Sequence, residues 1–325
     1  MGTKSTNSLA VLLLSLSLAG TMDARAQVRS YPTKPVQFIV PFASGGGTDI
    51  LTRIIAKELS EIWGQPAVIV NRGGAGSTLG TGIAAKAAAD GYTILFNSSG
   101  IAPNVTLFQP LPFDLLRDLA PVTMLAKQSN VLVINPSVPA KSVAELIQLA
   151  KATPGRFTIG SGGGAARLAT ELFRSMSGTR VEIAHYKGGG EALVALMSGD
   201  VQMLISTMSD ALPHVNAGKV IALGVTGSRR SSIAPTLPTL SESGLPGYEY
   251  STWYGVFGPA GMPQPIITQL NHDVARALAT PTVRKRFAST GIEAAPSTPD
   301  EFGRYVKAEV AKWAKVINEL GIRMN

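Results

Sequence analysis

Three consecutive glycines separate an apolar run from an amphipathic segment near the start of the chain. The run Val36–Val40 is followed by Pro41 and then by Gly45, Gly46 and Gly47, after which apolar residues recur at helical spacing. Glycines let backbone N–H groups come close to a bound molecule, and a helix that begins there adds unpaired N–H donors and the positive end of its dipole. The loop predicts a site for a carboxylate or a phosphate, and a tight turn without a ligand is the alternative.

The residue types that other chemistries need are sparse or wrongly spaced. The three histidines, His185, His214 and His272, lie far apart, and none has a second ligand nearby, so we expect no metal site. Ser99 and Ser161 lie beside glycines, but neither lies in a G-x-S-x-G elbow. No P-loop lysine follows the glycines, and no dinucleotide fingerprint or carboxylate pair stands out. These patterns predict binding without turnover, with no catalytic residue and no cofactor.

The first residues have the pattern of an export signal. Lys4 gives a positive start, residues 9–19 are almost wholly apolar or small, and Ala24 and Ala26 flank Arg25 as a cleavage site would require. The apolar stretch is shorter than the ~20 residues of a membrane-spanning helix. We expect residues 1–26 to be a cleaved signal peptide. The sequence has no cysteine, so we expect neither a lipid anchor nor disulfides, and we predict a periplasmic location.

The charge pattern argues against a nucleic-acid partner. The formal net charge is +8, but the basic residues are scattered and no Lys/Arg run alternates with aromatics. Charged residues make up 15% of the chain, against about 25% in an average protein. The composition predicts a compact protein with much buried backbone.

Strand and helix patterns alternate along most of the chain and predict an α/β fold. Apolar runs at residues 36–40, 67–70 and 92–96 are separated by helical patterns, and a similar unit follows at 130–135, 157–159, 181–185, 201–205 and 220–225. Such units form mostly parallel sheets whose ligands bind beyond the carboxyl ends of the strands. We expect two lobes around a cleft, with residues 27–127 and 252–325 in lobe 1 and residues 128–251 in lobe 2. Strand 252–259 would return to lobe 1, and helices near 265–279, 281–289 and 299–320 would pack there.

An ordered set of short motifs resembles one family, the Bug-type solute receptors of tripartite tricarboxylate transporters. The motifs are Pro41-Phe42-x-x-Gly-Gly-x-x-Asp49, Asn71-Arg72-x-Gly-Ala-Gly76, Asp90-Gly91-Tyr92-Thr93, Tyr186-Lys187-Gly188-Gly189-Gly190, Leu212-Pro213-His214 with Ala217-Gly218-Lys219, Pro238-Thr239-Leu240-x-Glu242-x-Gly244 and Trp253-Tyr254-Gly255-Val256-Phe257-x-Pro259-Ala260-Gly261. Each motif alone is weak, but together they cover nearly all of residues 31–325 in order.

The resemblance implies a two-lobed periplasmic binding fold of type II that closes on a small organic acid. It assigns the ligand carboxylate to backbone N–H groups of the first loop, with Asp49 as a residue that organises the loop. The ligand-binding residues implied for lobe 1 are Phe42, Ala43, Ser44, Gly45, Gly46, Gly47, Thr48, Asp49, Ser98 and Ser99. Those implied for lobe 2 are Ser161, Gly162, Gly163, Gly164, Ala165, Arg167, Tyr186, Gly188 and Ser206.

Two positions depart from the family pattern and bear on the ligand. Arg167 stands where many relatives have a histidine, and Ser206 stands where many have an aspartate. An arginine facing the cleft could bind a second carboxylate with two hydrogen bonds, whereas a surface ion pair is the alternative. Loss of the acid removes a partner for an amino group. We expect a dicarboxylate or an aromatic carboxylate rather than an amino acid.

The resemblance implies a partner as well as a ligand. The loaded receptor, expected as a monomer, would deliver its ligand to integral-membrane transporter subunits. The alternative is a periplasmic sensing subunit that binds the same ligand and contacts a sensor kinase. Closure would use a hinge near residues 128 and 252.

Overall fold

The computed structural model describes residues 31–162, 164–186, 188–289, 291–319 and 321, without the side chains of residues 164–166. The predicted signal peptide, residues 1–26, lies outside the described residues. Ten strands are present in the described residues: β1 Val36–Val40, β2 Ala67–Asn71, β3 Thr93–Ser98, β4 Leu119–Ile134, β5 Thr158–Ser161, β6 Glu182–His185, β7 Met203–Thr207, β8 Ile221–Val225, β9 Ser251–Pro259 and β10 Glu293–Ala294.

Ten α-helices accompany the strands in the same part of the chain. They are α1 Gly47–Trp63, α2 Thr78–Ala85, α3 Ile101–Leu107, α4 Val143–Ala152, α5 Gly164–Ser177, α6 Gly189–Ser198, α7 Met208–Asn216, α8 Gln264–Ala279, α9 Pro281–Ser289 and α10 Pro299–Glu319. The predicted α/β class is confirmed. The predicted elements occur at their expected places, whereas α3, α7 and β10 were not predicted.

The strands form one continuous mixed sheet that has two halves of equivalent order. In the first half-sheet the order is β2-β1-β3-β9-β4, with β1, β2 and β3 parallel and β9 antiparallel to β3. In the second half-sheet the order is β6-β5-β7-β4-β8, with β5, β6 and β7 parallel and β4 antiparallel to β7. Strand β4 belongs to both halves and joins them.

Strand β4 is much longer than the sequence pattern predicted. The predicted strand 130–135 is only the part of β4 that pairs with β7 and β8, and residues 119–129 pair with β9. Proline usually interrupts a ladder, but Pro121 lies where the β4–β9 register shifts, so its missing N–H is tolerated. The predicted boundaries at residues 128 and 252 stay a prediction, since β4 passes through residue 128 without a break.

Helices cover both faces of this sheet. On one face of the first half-sheet, α1, α8 and α9 bury residues such as Phe38, Leu270 and Phe287. A second cluster extends over the other face of both halves and includes Leu95, Phe173 and Phe302 from α10. A third cluster, with Leu193 and Leu204, lies between the second half-sheet and α6 and α7. The packing fixes the ends of the parallel strands and therefore the loops that follow them.

Candidate functional site

The loops after the parallel strands of the two half-sheets point toward each other. Strands β3 and β4 are both antiparallel to β9, so they run in the same direction, whereas β7 is antiparallel to β4. The carboxyl ends of β1, β2 and β3 are therefore directed oppositely to those of β5, β6 and β7. We call residues 42–49, 72–77 and 98–99 the first wall, residues 161–162, 164–167, 186, 188 and 206–207 the second wall, and the space between them the cleft.

Asp49 holds the loop of the first wall. Its side chain is buried and accepts hydrogen bonds from the Gly45 N–H at 2.8 Å, Asn71 Nδ2 at 2.9 Å and Arg53 Nε at 2.9 Å. Burial alone would raise the pKa of Asp49, but these hydrogen bonds outweigh it and lower the pKa to about 2. The carboxylate is thus ionised and engaged within the protein, which is the geometry of an organising residue rather than of a ligand contact.

Several backbone donors of the same loop remain available. In the described part of the chain, no protein acceptor bonds the N–H groups of Ala43, Ser44, Gly47 or Thr48. The sequence resemblance assigned the N–H of Gly45 to the ligand, but this N–H donates to the carboxylate of Asp49 instead. The N–H of Gly46 donates to the Ala43 carbonyl at 3.4 Å. The free donors lie at the N-terminus of the 17-residue helix α1, where an anion is stabilised.

A close approach of two loops and a tyrosine complete the first wall. A Cβ atom on Gly73 would lie 3.3 Å from the backbone nitrogen of Ala43, so the loop after β2 packs directly on the loop after β1. The hydroxyl of Tyr254 lies 3.2 Å from where a Cβ of Gly47 would be. Tyr254 is paired across the sheet with Ser98, and both side chains therefore lie on one face. Burial raises the pKa of Tyr254 to about 12, so at neutral pH its hydroxyl can donate a hydrogen bond.

The second wall repeats the backbone packing of the first. A Cβ atom on Gly162 would lie 2.7 Å from the backbone nitrogen of Gly189, so the loop after β5 and the start of α6 can approach only without a side chain there. The N–H of Tyr186 also donates to the Ser161 carbonyl at 2.9 Å. Gly163 lies outside the described residues, and Gly164 and Ala165 form the start of α5.

Buried polar atoms without a partner distinguish the second wall. Within the described residues, Ser161 Oγ, Arg167 Nε, Ser206 Oγ and Asn130 Oδ1 are buried and make no hydrogen bond. An unpaired buried polar group costs about 1–3 kcal/mol, and two of these groups, Ser161 Oγ and Arg167 Nε, lie at the end of β5 and the start of α5, where a bound ligand would give them partners. Arg167 also lies in the first turn of α5, where a cation opposes the helix dipole unless an anion is present.

The structure does not bring all the predicted residues of the second wall together. Ser161 lies on the sheet face that α5 covers, whereas Ser206 alternates with Ile205 and lies on the opposite face, which α6 and α7 cover. Tyr186 packs against the α6 side as well. Their roles as ligand contacts stay predictions. In the first wall, Ser99 is buried and its N–H donates to the Trp253 carbonyl at 2.8 Å.

Three further residues lie near the walls and were not among the predicted ligand-binding residues. The hydroxyl of Tyr254 lies near Gly47. Asn130, in the middle of β4, has a buried side-chain oxygen without a hydrogen bond. Asp210, in the first turn of α7, is exposed, and its carboxylate oxygen lies 3.7 Å from where a Cβ of Gly189 would be. The polar run 127–130 inside an apolar stretch was the sequence signal that could have indicated Asn130.

Neither a metal cluster nor a membrane-spanning helix is present among the described residues. None of their His, Asp and Glu side chains form a group of three or more that could hold a metal ion. No helix in this part of the chain has both the length and the apolar composition needed to cross a membrane.

Comparisons with known proteins place this geometry among solute receptors. The family model described as "Tripartite tricarboxylate transporter family receptor" matches residues 51–322. Protein BugT of Bordetella pertussis is 38% identical over 323 residues, which is 98% of this chain and 99% of that protein.

Solved structures agree with the sequence relatives. A protein from R. palustris, solved with adipate, is 37% identical, with a TM-score of 0.76 over 90% of this chain and 100% of that chain. MatC from Rhodopseudomonas palustris, solved with bound malate, is 31% identical, with a TM-score of 0.72 over 88% of this chain and 100% of that one. The periplasmic binding protein BugD is 28% identical, with a TM-score of 0.73 over 90% of this chain and all of that one. The predicted periplasmic binding fold is confirmed.

Proposed function

The chain belongs to the tripartite tricarboxylate transporter receptor family, which consists of periplasmic solute-binding proteins and not of enzymes, and on that premise we propose that it is a receptor for small dicarboxylates or aromatic carboxylates. The observation that carries the proposal is a pair of complementary features. The first wall offers free backbone N–H groups at the N-terminus of α1, and the second wall offers the unpaired Nε of Arg167.

Each end of a dicarboxylate would have its own partner in this cleft. One carboxylate would be held by the N–H groups of Ala43, Ser44 and Gly47, with the hydroxyl of Tyr254 close by. The other would take the guanidinium of Arg167 in a charge-assisted pair. Two related proteins were solved with adipate and with malate, and both of these ligands are dicarboxylates.

Delivery and location are part of the same proposal. Residues 1–26 would direct the chain to the periplasm and be cleaved, and the mature monomer would carry its ligand to integral-membrane transporter subunits. The two lobes, residues 27–127 with 252–325 and residues 128–251, would close on the ligand by bending near residues 128 and 252, since β4 and β9 cross between the half-sheets there.

A ligand panel tests the proposal directly. Thermal melting and calorimetry of the mature protein with adipate, malate, benzoate and glutamate should show a raised melting temperature with a dicarboxylate or with benzoate, because ligand that binds only the folded state stabilises it. Glutamate should bind more weakly than adipate, because an amino group has no acid at position 206. If glutamate bound more tightly than adipate, with its amino group paired to Asp210, the proposed ligand class would be wrong. If none of the four compounds raised the melting temperature, the proposed receptor function would be wrong.

A further inference from the structure

A second cavity lies beside the middle of β4, apart from both walls of the cleft. We call it the hinge pocket, and its volume is about 500 Å³. Of the described residues that line it, none belongs to either wall. Lys127 and Ser129 come from β4, residues 227–230 follow β8 of the second half-sheet, and residues 295–297 and α10 pack on the first. A Cβ on Gly227 would lie 2.5 Å from Ser129 Oγ, so the 227–230 loop contacts β4 directly.

Two cations face this pocket without a carboxylate partner. The ammonium of Lys127 lies 4.1 Å from the centroid of the Tyr305 ring, and burial lowers the pKa of Lys127. The carboxylates of Glu249 and Glu309 raise the pKa of Lys127, whereas the positive charges of Arg229, on the loop opposite, and of Lys312 lower it. Within the described residues, no carboxylate oxygen lies within 4.0 Å of the charged nitrogens of Lys127 or Arg229. Lys127 is half-buried and Arg229 is exposed, and neither forms an ion pair with a described carboxylate, so the positive charge of this side of the pocket attracts an anion.

The acidic groups of the pocket are engaged elsewhere. Glu293 is opposite Lys127 across the β4–β10 pair, yet its carboxylate accepts hydrogen bonds from Ser231 Oγ at 2.9 Å and from the N–H and Oγ of Ser232 at 3.0 and 2.9 Å. Glu301 accepts from the N–H and Oγ1 of Thr298 at the start of α10. Since both carboxylates already have local donors, they do not fill the space between the two cations.

The remaining lining is apolar or able to donate hydrogen bonds. Met124, Pro296 and Phe302 give the pocket an apolar side. Burial raises the pKa of Tyr305, so its hydroxyl stays protonated at neutral pH. We propose that the hinge pocket is a second ligand site, which binds a small organic carboxylate with its charged group between Lys127 and Arg229 and its apolar part against Met124, Pro296 and Phe302.

Calorimetry with hexanoate as the probe tests this site. We expect the mature protein to bind hexanoate, and we expect both Lys127→Gln and Arg229→Gln to weaken binding at least about tenfold, the effect of one lost charge-assisted hydrogen bond. Lys151→Gln, which changes an exposed lysine of α4, is the matched control and should not alter binding. Arg229 is exposed, so its variant tests the site even if the Lys127 variant fails to fold.

A site-specific label separates this pocket from the cleft. Because the chain has no cysteine, a single introduced cysteine can be labelled with a thiol-reactive fluorophore. Ser228→Cys places the label at the hinge pocket, and Ser175→Cys places it on α5, outside the residues that line the pocket. Hexanoate should change the signal at position 228 and not at 175, and should still do so in Gly47→Leu, whose added side chain obstructs the cleft. If hexanoate binding were lost in Gly47→Leu but kept in Arg229→Gln, hexanoate would bind in the cleft. That result would refute the second ligand site and would be consistent with the receptor function of the cleft. No binding up to about 10 mM would refute the second ligand site as well.

Discussion

The two walls of the cleft are built from equivalent loops but differ in how their polar groups are satisfied. In the first wall, Asp49 bonds Gly45, Asn71 and Arg53, so the loop is fixed before any ligand arrives. In the second wall, the buried polar atoms of Ser161 and Arg167 have no described partner. The difference suggests a division of roles, in which a rigid first wall binds the carboxylate common to all ligands and an unsatisfied second wall selects the rest.

Removal of Arg167 should have the largest effect on binding. Arg167→Gln should weaken adipate binding about ten- to a hundredfold, because a hydrogen bond between charged groups is worth about 1.5–3 kcal/mol. The stability of the ligand-free protein should change little, since the variant removes a buried Nε that has no hydrogen-bond partner. Calorimetry and chemical denaturation measure the two quantities.

The same helix supplies the control for that variant. Arg174 on α5 is paired with Glu171 at 2.7 Å, so Arg174→Gln removes a charge without touching the proposed site. If the wild type and both variants bound adipate equally tightly, the proposed division of roles would be wrong, because Arg167 would then not contribute to ligand selection.

Loss of Asp49 should instead affect stability. Its folded pKa of about 2 lies below the ordinary 3.8, so ionised Asp49 stabilises the fold fully above about pH 4, and this contribution disappears as the pH falls through about 2. Asp49→Asn should therefore cost about 2 kcal/mol at pH 7, with a difference that shrinks in acid. Urea unfolding across this pH range, with the exposed Asp200→Asn as the control, measures it. An unchanged free energy of unfolding at pH 7 would show that the first wall does not depend on its carboxylate.

Glycine substitutions in the first loop should give the smallest effect. Gly45 has φ of +86° with no atom near its missing Cβ, so Gly45→Ala should cost about 1 kcal/mol of stability through the backbone alone. Gly46 has φ of −74°, which any residue can adopt, and Gly46→Ala should stay within about 0.5 kcal/mol. Denaturant unfolding of the pair would refute backbone strain as the cause if both variants lost the same free energy.

The prediction of the fold succeeded where local pattern was strong and failed where pairing partners were distant. Strand β1 was predicted with the bounds Val36–Val40 that the structure shows, because a five-residue run with four apolar residues, ended by a proline, needs no partner to be recognised. The length of β4 was missed because residues 119–129 are extended only through pairing with β9, more than a hundred residues later. Helix α7 was missed because Pro213 lies inside it.

The sequence by itself determined the alternation of strands and helices, the family and the glycine loop at residues 45–47, since each depends on residues close together in the chain. Tertiary structure alone decided which donors of that loop stay free, because the N–H of Gly45 is used by Asp49 while Gly47 is left beside Tyr254. It also separated Ser206 from Ser161, since Ser206 of β7 faces α6 and α7 whereas Ser161 of β5 faces α5 on the other side of the sheet. Which polar groups remain unsatisfied depends on every neighbour in space, and no single stretch of sequence contains that information.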